Sequence, residues 1–112
     1  ELNIIAQFGV AIERKVVGYQ IDIVLQKQKL ETIGWCTGAA QDLLPDAAMN
    51  NASVFLSGEV SERTVHEARV YGIAYLACGH HATERYGINA LGTLLAERFG
   101  IHHQFVEIDN PV

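Results

Sequence analysis

From Glu31 onward the chain alternates short, continuous apolar runs with longer segments in which apolar residues recur at helical spacing. The runs are "TIGWC" (32–36), "SVFLS" (53–57) and "IAYLAC" (73–78), stopped by Thr37-Gly38, Gly58 and Gly79. Short apolar runs without polar alternation are what strands covered on both faces of a parallel sheet require. Between them, "AAQDLLPDAAMN" (39–50) places Leu43, Leu44, Ala47 and Ala48 on one helical face, with Pro45 marking a kink or a restart. "SERTVHEARVYG" (61–72) opens on Ser61 as an N-cap and closes on Gly72, with Val65, Ala68 and Val70 as apolar positions. "HATERYGINALGTLLAERFG" (81–100) puts Ile88, Leu91, Leu94, Leu95 and Phe99 on one stripe, ended by Gly100. "HQFVEI" (103–108) alternates like a last strand. Residues 1–30 are less regular: "LNIIAQFGVAIE" reads as a helix and "YQIDIVLQ" as an alternating strand at a sheet edge. The order after residue 30 is therefore β-α-β-α-β-α-β. It predicts an α/β fold, a mostly parallel sheet with helices on both faces and right-handed crossovers.

With 112 residues, 49% of them hydrophobic and 19% charged, the chain suits a single domain (1–112) with a buried core. The formal net charge of −5 and scattered basic residues argue against a general nucleic-acid grip, which needs clustered Lys and Arg. The two cysteines, Cys36 and Cys78, form no paired motif, so a reduced, cytoplasmic setting with buried, inert thiols is expected. Trp35 is expected in the core. No apolar stretch reaches the ~18 residues of a membrane span.

Three of the strand runs end in polar phrases, "CTG" (36–38), "SGE" (57–59) and "CGHH" (78–81). In an open parallel sheet the carboxyl ends of the strands share one edge, and ligands bind in the crevice outside it. Cys36, Thr37, Ser57, Glu59, His80 and Glu84 can converge there, and Gly38, Gly58 and Gly79 allow sharp turns and close approach. His80 and Glu84 are four apart, so on a helix they share a face with Cβ atoms roughly 6 Å apart. An imidazole and a carboxylate at that spacing can hold one divalent cation, or they can simply form a surface pair at a helix start. His81 is turned about 100° away and is not expected to be a ligand. His66 reads as a partly buried structural histidine, His102 and His103 as a solvated edge, and Glu62, Arg63, Glu67 and Arg69 as a charged outer helix face.

"GWCTGAAQ" (34–41), "LSGEVSERTVHEAR" (56–69), "GHHATERYGINALG" (79–92) and the terminal "DNPV" (109–112) closely resemble the Nif-three-like family, whose members are named GTP cyclohydrolase I type 2 homologues, and the bacterial branch in particular. The resemblance covers residues 31–112, and residues 1–30 match it poorly. It implies a three-layer α/β architecture, a ring-shaped homohexamer and a site for two divalent metals per subunit, with ligands from both ends of the chain. The family's C-terminal ligand pair, a His and a Glu four residues later, maps onto His80 and Glu84. Its other ligands, a histidine pair in the N-terminal half and a central Asp, have no match here, since no histidine precedes His66. Together with a start at Glu1 rather than Met, this leads us to expect the C-terminal part of a longer protein. The family's Ser-Glu motif maps onto Gly58-Glu59. Where some members continue with Ser-His-His, this chain has Ser61, Glu62 and Arg63, so no role of those histidines carries over.

The expected function is that of a metal-dependent hydrolase-like protein in which a divalent pair activates water, with Glu59 as general base or as a partner of a ligand. Zinc, iron, manganese and cobalt all suit imidazole and carboxylate ligands. No phosphate-cradling loop selects GTP. The alternative is a ring-forming, metal-binding protein that acts by interaction rather than catalysis.

Overall fold

In the computed structural model, which describes residues 31–110, three parallel strands form one sheet in the order β1-β2-β3. They are β1 (Ile33–Trp35), β2 (Val54–Ser57) and β3 (Ala74–Ala77), each within one residue of the limits read from the apolar runs. In register, Gly34 lies opposite Phe55, and Phe55 opposite Tyr75. A 3-10 turn (Gln41–Leu43) leads into α1 (Leu44–Met49) between β1 and β2. Pro45 sits in the first turn of α1, where its missing N–H costs nothing, so it restarts the helix rather than kinking it. Helix α2 (Glu62–Tyr71) returns the chain to β3. Ser61 caps it, accepting from the Thr64 N–H while the Thr64 hydroxyl accepts from the Ser61 N–H, and Gly72 closes it at φ +66°. The long helix α3 (His80–Phe99) follows β3 and ends on Gly100.

Both crossovers run the same way along the sheet, so α1 and α2 lie on one face and pack together. Leu44, Ala68, Ile73, Phe55 and Tyr75 form the core there. Alternation points Val54, Leu56, Ala74 and Leu76 to the other face, where they are buried as well. The chain is therefore α/β with a parallel sheet. No helix among the described residues is long and apolar enough to cross a membrane.

Four expectations need correction. Trp35 is not core but 73% exposed, because Gly34 takes the position facing α1 and alternation turns Ile33 and Trp35 to the opposite face, on the outer strand of the sheet formed by the described residues. His66 is exposed on the outer face of α2, and so is Val70. Cys36 is only half-buried, although Cys78 is buried as expected. Residues 103–108 form no strand. After Gly100 the chain lies back along α3, with the His103 ring against Gly92 and Glu107 beside His81 and Arg85, so it is held by the helix rather than by a sheet edge. The helix and strand expected within residues 1–30 fall outside the described residues.

Candidate metal centre

The sheet ladder does not stop with the strands. Gly79 N–H donates to the Gly58 carbonyl and Gly58 N–H to the Gly38 carbonyl, both at 2.9 Å, so the three glycines form one hydrogen-bonded tier along the carboxyl edge. A Cβ on Gly58 would sit 2.6 Å from the Gly38 oxygen and 2.8 Å from the His80 Cα. Gly38, at φ +69°, would place a Cβ 2.3 Å from Glu84 Oε1. These glycines bring backbone up against the His80–Glu84 turn itself, which is the close approach that only glycine permits.

Two hydroxyls lock the tier. Buried Ser57 accepts from the Ala40 N–H and donates to the Gly38 carbonyl, each at 3.1 Å. Thr83 accepts from the Gly38 N–H at 3.2 Å while its own hydroxyl lies 2.9 Å from the Gly79 carbonyl and 3.0 Å from the His80 carbonyl. Thr83 escaped the sequence reading. Its only signal there is the four-residue spacing from Gly79, the back-bonding distance of a helical threonine.

The His80 ring stands between two carboxylates. Its Nδ1 lies 2.6 Å from Glu59 Oε1 and its Nε2 3.2 Å from Glu84 Oε2. Glu59 is aimed from the end of β2, where its own backbone carbonyl accepts from the Tyr75 hydroxyl at 2.5 Å. The hydrogen bond to Glu59, with the Glu84 charge adding to it, raises the His80 pKa above the ordinary imidazole range. Burial raises that of Tyr75.

Two donors on one tetrahedral ion, each about 2.1 Å from it, lie about 3.4 Å apart. The 3.2 Å between His80 Nε2 and Glu84 Oε2 matches that separation, and the donor types suit a divalent ion, so the residues present fit part of a metal site. Nδ1 paired with a carboxylate is the usual arrangement behind a histidine ligand, because it fixes the tautomer that leaves Nε2 free. Among the described residues no set of three or more His, Cys, Asp and Glu side chains is disposed to hold a metal. His81 faces elsewhere, 3.4 Å from Glu107. Thr37 is exposed at the same edge and Cys36 lies just behind it.

A family model described as Duf34/NIF3 (NGG1p interacting factor 3) matches residues 4–111. The match takes in most of residues 1–30, which the motifs alone did not connect to the family. Among curated proteins the chain is 48% identical, over 106 residues, to a GTP cyclohydrolase 1 type 2 homolog of Allochromatium vinosum, covering 95% of this chain and 42% of that protein. It is 55% identical over 83 residues to one of Vibrio cholerae, covering 74% of this chain and 33% of the other. The chain thus spans less than half the length of these relatives. Among solved structures it superposes on protein ybgI, described as of unknown function, with a TM-score of 0.83 and 34% identity over 99% of this chain and 44% of the other. A protein of Thermus thermophilus shares the fold at a TM-score of 0.77 and 23% identity, over 99% of this chain and 43% of that one. On the extent of the family match and the identity to these relatives, the chain belongs to the Duf34/NIF3 family.

Proposed function

We propose that this chain holds the C-terminal half of a divalent-metal site in a longer, hydrolase-like protein, and that His80 Nε2 and Glu84 are its ligands. The observation that carries the reading is the His80 ring fixed between Glu59 and Glu84, with glycine backbone packed behind it. Two ligands alone make a weak site, so the remaining ligands, for two ions per subunit, come from the rest of the protein. A bound divalent ion supplies Lewis acidity and makes water acidic enough to ionise near neutral pH. Glu59 accepts from the Nδ1–H of His80 and so orients the ring with Nε2 toward Glu84 and the ion. Its second carboxylate oxygen is the group we assign to take a proton in a hydrolytic step. The names of the curated relatives support a cyclohydrolase-type reaction, and cleavage at an electrophilic carbon or phosphorus fits these groups equally.

The test is metal content of the full-length protein by elemental analysis. His80→Ala and Glu84→Ala each lower it strongly, and His81→Ala leaves it nearly unchanged. The assignment is wrong if His81→Ala empties the site and His80→Ala does not. If none of the three changes metal content, the pair is a surface ion pair.

A second reading, a ring-forming interaction protein, draws on α3, where Ile88, Leu91, Leu94 and Phe99 are all at least half exposed. A homohexamer would cover such a stripe. Metal-dependent turnover across a panel of nucleotides and phosphodiesters favours the hydrolase, and inactivity of the metal-loaded protein across the panel favours the ring.

A further inference from the structure

We infer that Glu107, in the segment that folds back after α3, is a positioning residue for the candidate metal ligands. The inference rests on the metal reading above and adds a residue to it. One oxygen, Glu107 Oε1, lies 3.4 Å from His81 Nε2 and 3.2 Å from an Arg85 guanidinium nitrogen. His81 and Arg85 are the residues that follow the two candidate ligands, His80 and Glu84. Both pairs have the same four-residue spacing, so 81 and 85 form a second face of the first turns of α3, about 100° around the axis from the ligand face. A single carboxylate that grips both therefore resists rotation of these turns about the helix axis. Rotation is the motion that would swing His80 and Glu84 together away from Glu59 and the Gly38 backbone on the sheet edge. Gly79, the N-cap, offers no side chain to the helix start, so Glu107 acts there beside the Thr83 hydroxyl, which accepts from the Gly38 N–H on the sheet side. A separate contact seats the same segment further along: the His103 ring occupies the space beside Gly92, where a Cβ would lie 2.2 Å from His103 Nε2.

The experiment uses the full-length protein and Zn²⁺, with affinity read by competition against a chromophoric chelator and order of the metal-free helix start read by amide hydrogen exchange at residues 82–85. His80→Ala and Glu84→Ala are measured first. If they leave affinity unchanged, the metal reading itself has failed and the inference about Glu107 falls with it. If they abolish tight binding, Glu107→Ala is expected to weaken Zn²⁺ by about tenfold, in the range of supporting groups behind metal ligands, and to speed exchange at 82–85 without metal. The melting temperature of the metal-free protein should fall by no more than about 4 °C, as for one exposed ion pair. Glu107→Gln separates positioning from simple attraction between Glu107 and the cation. Its amide oxygen can still accept from both donors, so it should bind Zn²⁺ within about threefold of wild type. An affinity for Glu107→Gln as low as that of Glu107→Ala would overturn the inference, and so would wild-type affinity and exchange in Glu107→Ala.

Discussion

The carboxyl edge of the sheet and the long helix that leaves it are built on opposite terms. At the edge, three backbone segments meet within hydrogen-bonding distance, β2 is buried along its whole length, and glycines stand where any side chain would collide. Along α3 only Ala82 is buried, and the apolar stripe faces outward. The edge is completed by residues close in the sheet, so the described chain satisfies it. The stripe has a pattern that wants a partner and none among the described residues. The proposed ligands, His80 and Glu84, lie where the two regions join, at the start of α3, so their sheet side is rigid and the proposed site depends on something further for its other side.

The comparison is tested most strongly by leucines of the two regions. Leu44 is fully buried in the α1–α2 core. Leu44→Ala should cost about 2–5 kcal/mol in urea unfolding of the full-length protein, at every protein concentration. Leu94 is 56% exposed. If the stripe is the assembly surface proposed above, Leu91→Ala with Leu94→Ala should instead weaken the dependence of the wild-type melting temperature on protein concentration, because the loss then falls on assembly rather than on the fold. A concentration-independent loss as large as that of Leu44→Ala would show that the stripe is buried within one subunit, and the contrast would collapse.

Much of the edge was legible in the sequence because parallel strands obey local rules. Short apolar runs closed by glycine gave the three strands, and sheet topology put their ends together, which brought Glu59, His80 and Glu84 within reach although 59 and 80 are 21 residues apart. What could not be read depends on contacts with no local signature. Trp35 looks like core by composition, but the small residue beside it decides which face of β1 is covered. "HQFVEI" alternates as a strand does, yet alternation does not say whether a sheet edge is available, and Glu107 and His103 find partners on α3 first. His66 fell to the same error, since its helix position is polar in pattern and only packing fixes exposure. The side of His80 that meets Glu59 was visible only as a candidate, because no spacing rule relates a strand end to a helix start.

A finer contrast separates crowding from backbone strain. Gly58 has no unusual dihedral but is walled in by backbone atoms, whereas Gly72 has φ +66° and nothing within 4 Å of a Cβ. Gly58→Ala should cost about 1–3 kcal/mol and also disturb the His80 turn, since neither the Gly38 carbonyl nor the His80 backbone can swing aside. Gly72→Ala should cost about 1–2 kcal/mol, from the left-handed conformation alone, and leave metal content unchanged. Equal metal loss in both variants would mean that the α2 cap, not the glycine tier, supports the site.

The smallest expected effect concerns the two thiols, one on each side of the edge. Burial raises the pKa of Cys78, while half-buried Cys36 lies nearer the surface. In the unfolded chain a thiol ionises near pH 8.5. Above that pH the unfolded state has released the Cys78 proton while the folded state still holds it. The folded state then binds more protons, so stability falls as pH rises. Below about pH 8 both states are protonated and the residue contributes no pH dependence. Cys78→Ala should therefore flatten the alkaline limb of the stability curve between about pH 8.5 and 10, below the range where Tyr75, whose pKa burial also raises, begins to act. Alkylation of the folded protein by iodoacetamide at pH 8 should label Cys36 ahead of Cys78, with mass spectrometry as the readout. Faster labelling of Cys78 would mean that the carboxyl end of β3 opens more readily than that of β1, which would place the rigid side of the site on the opposite strand.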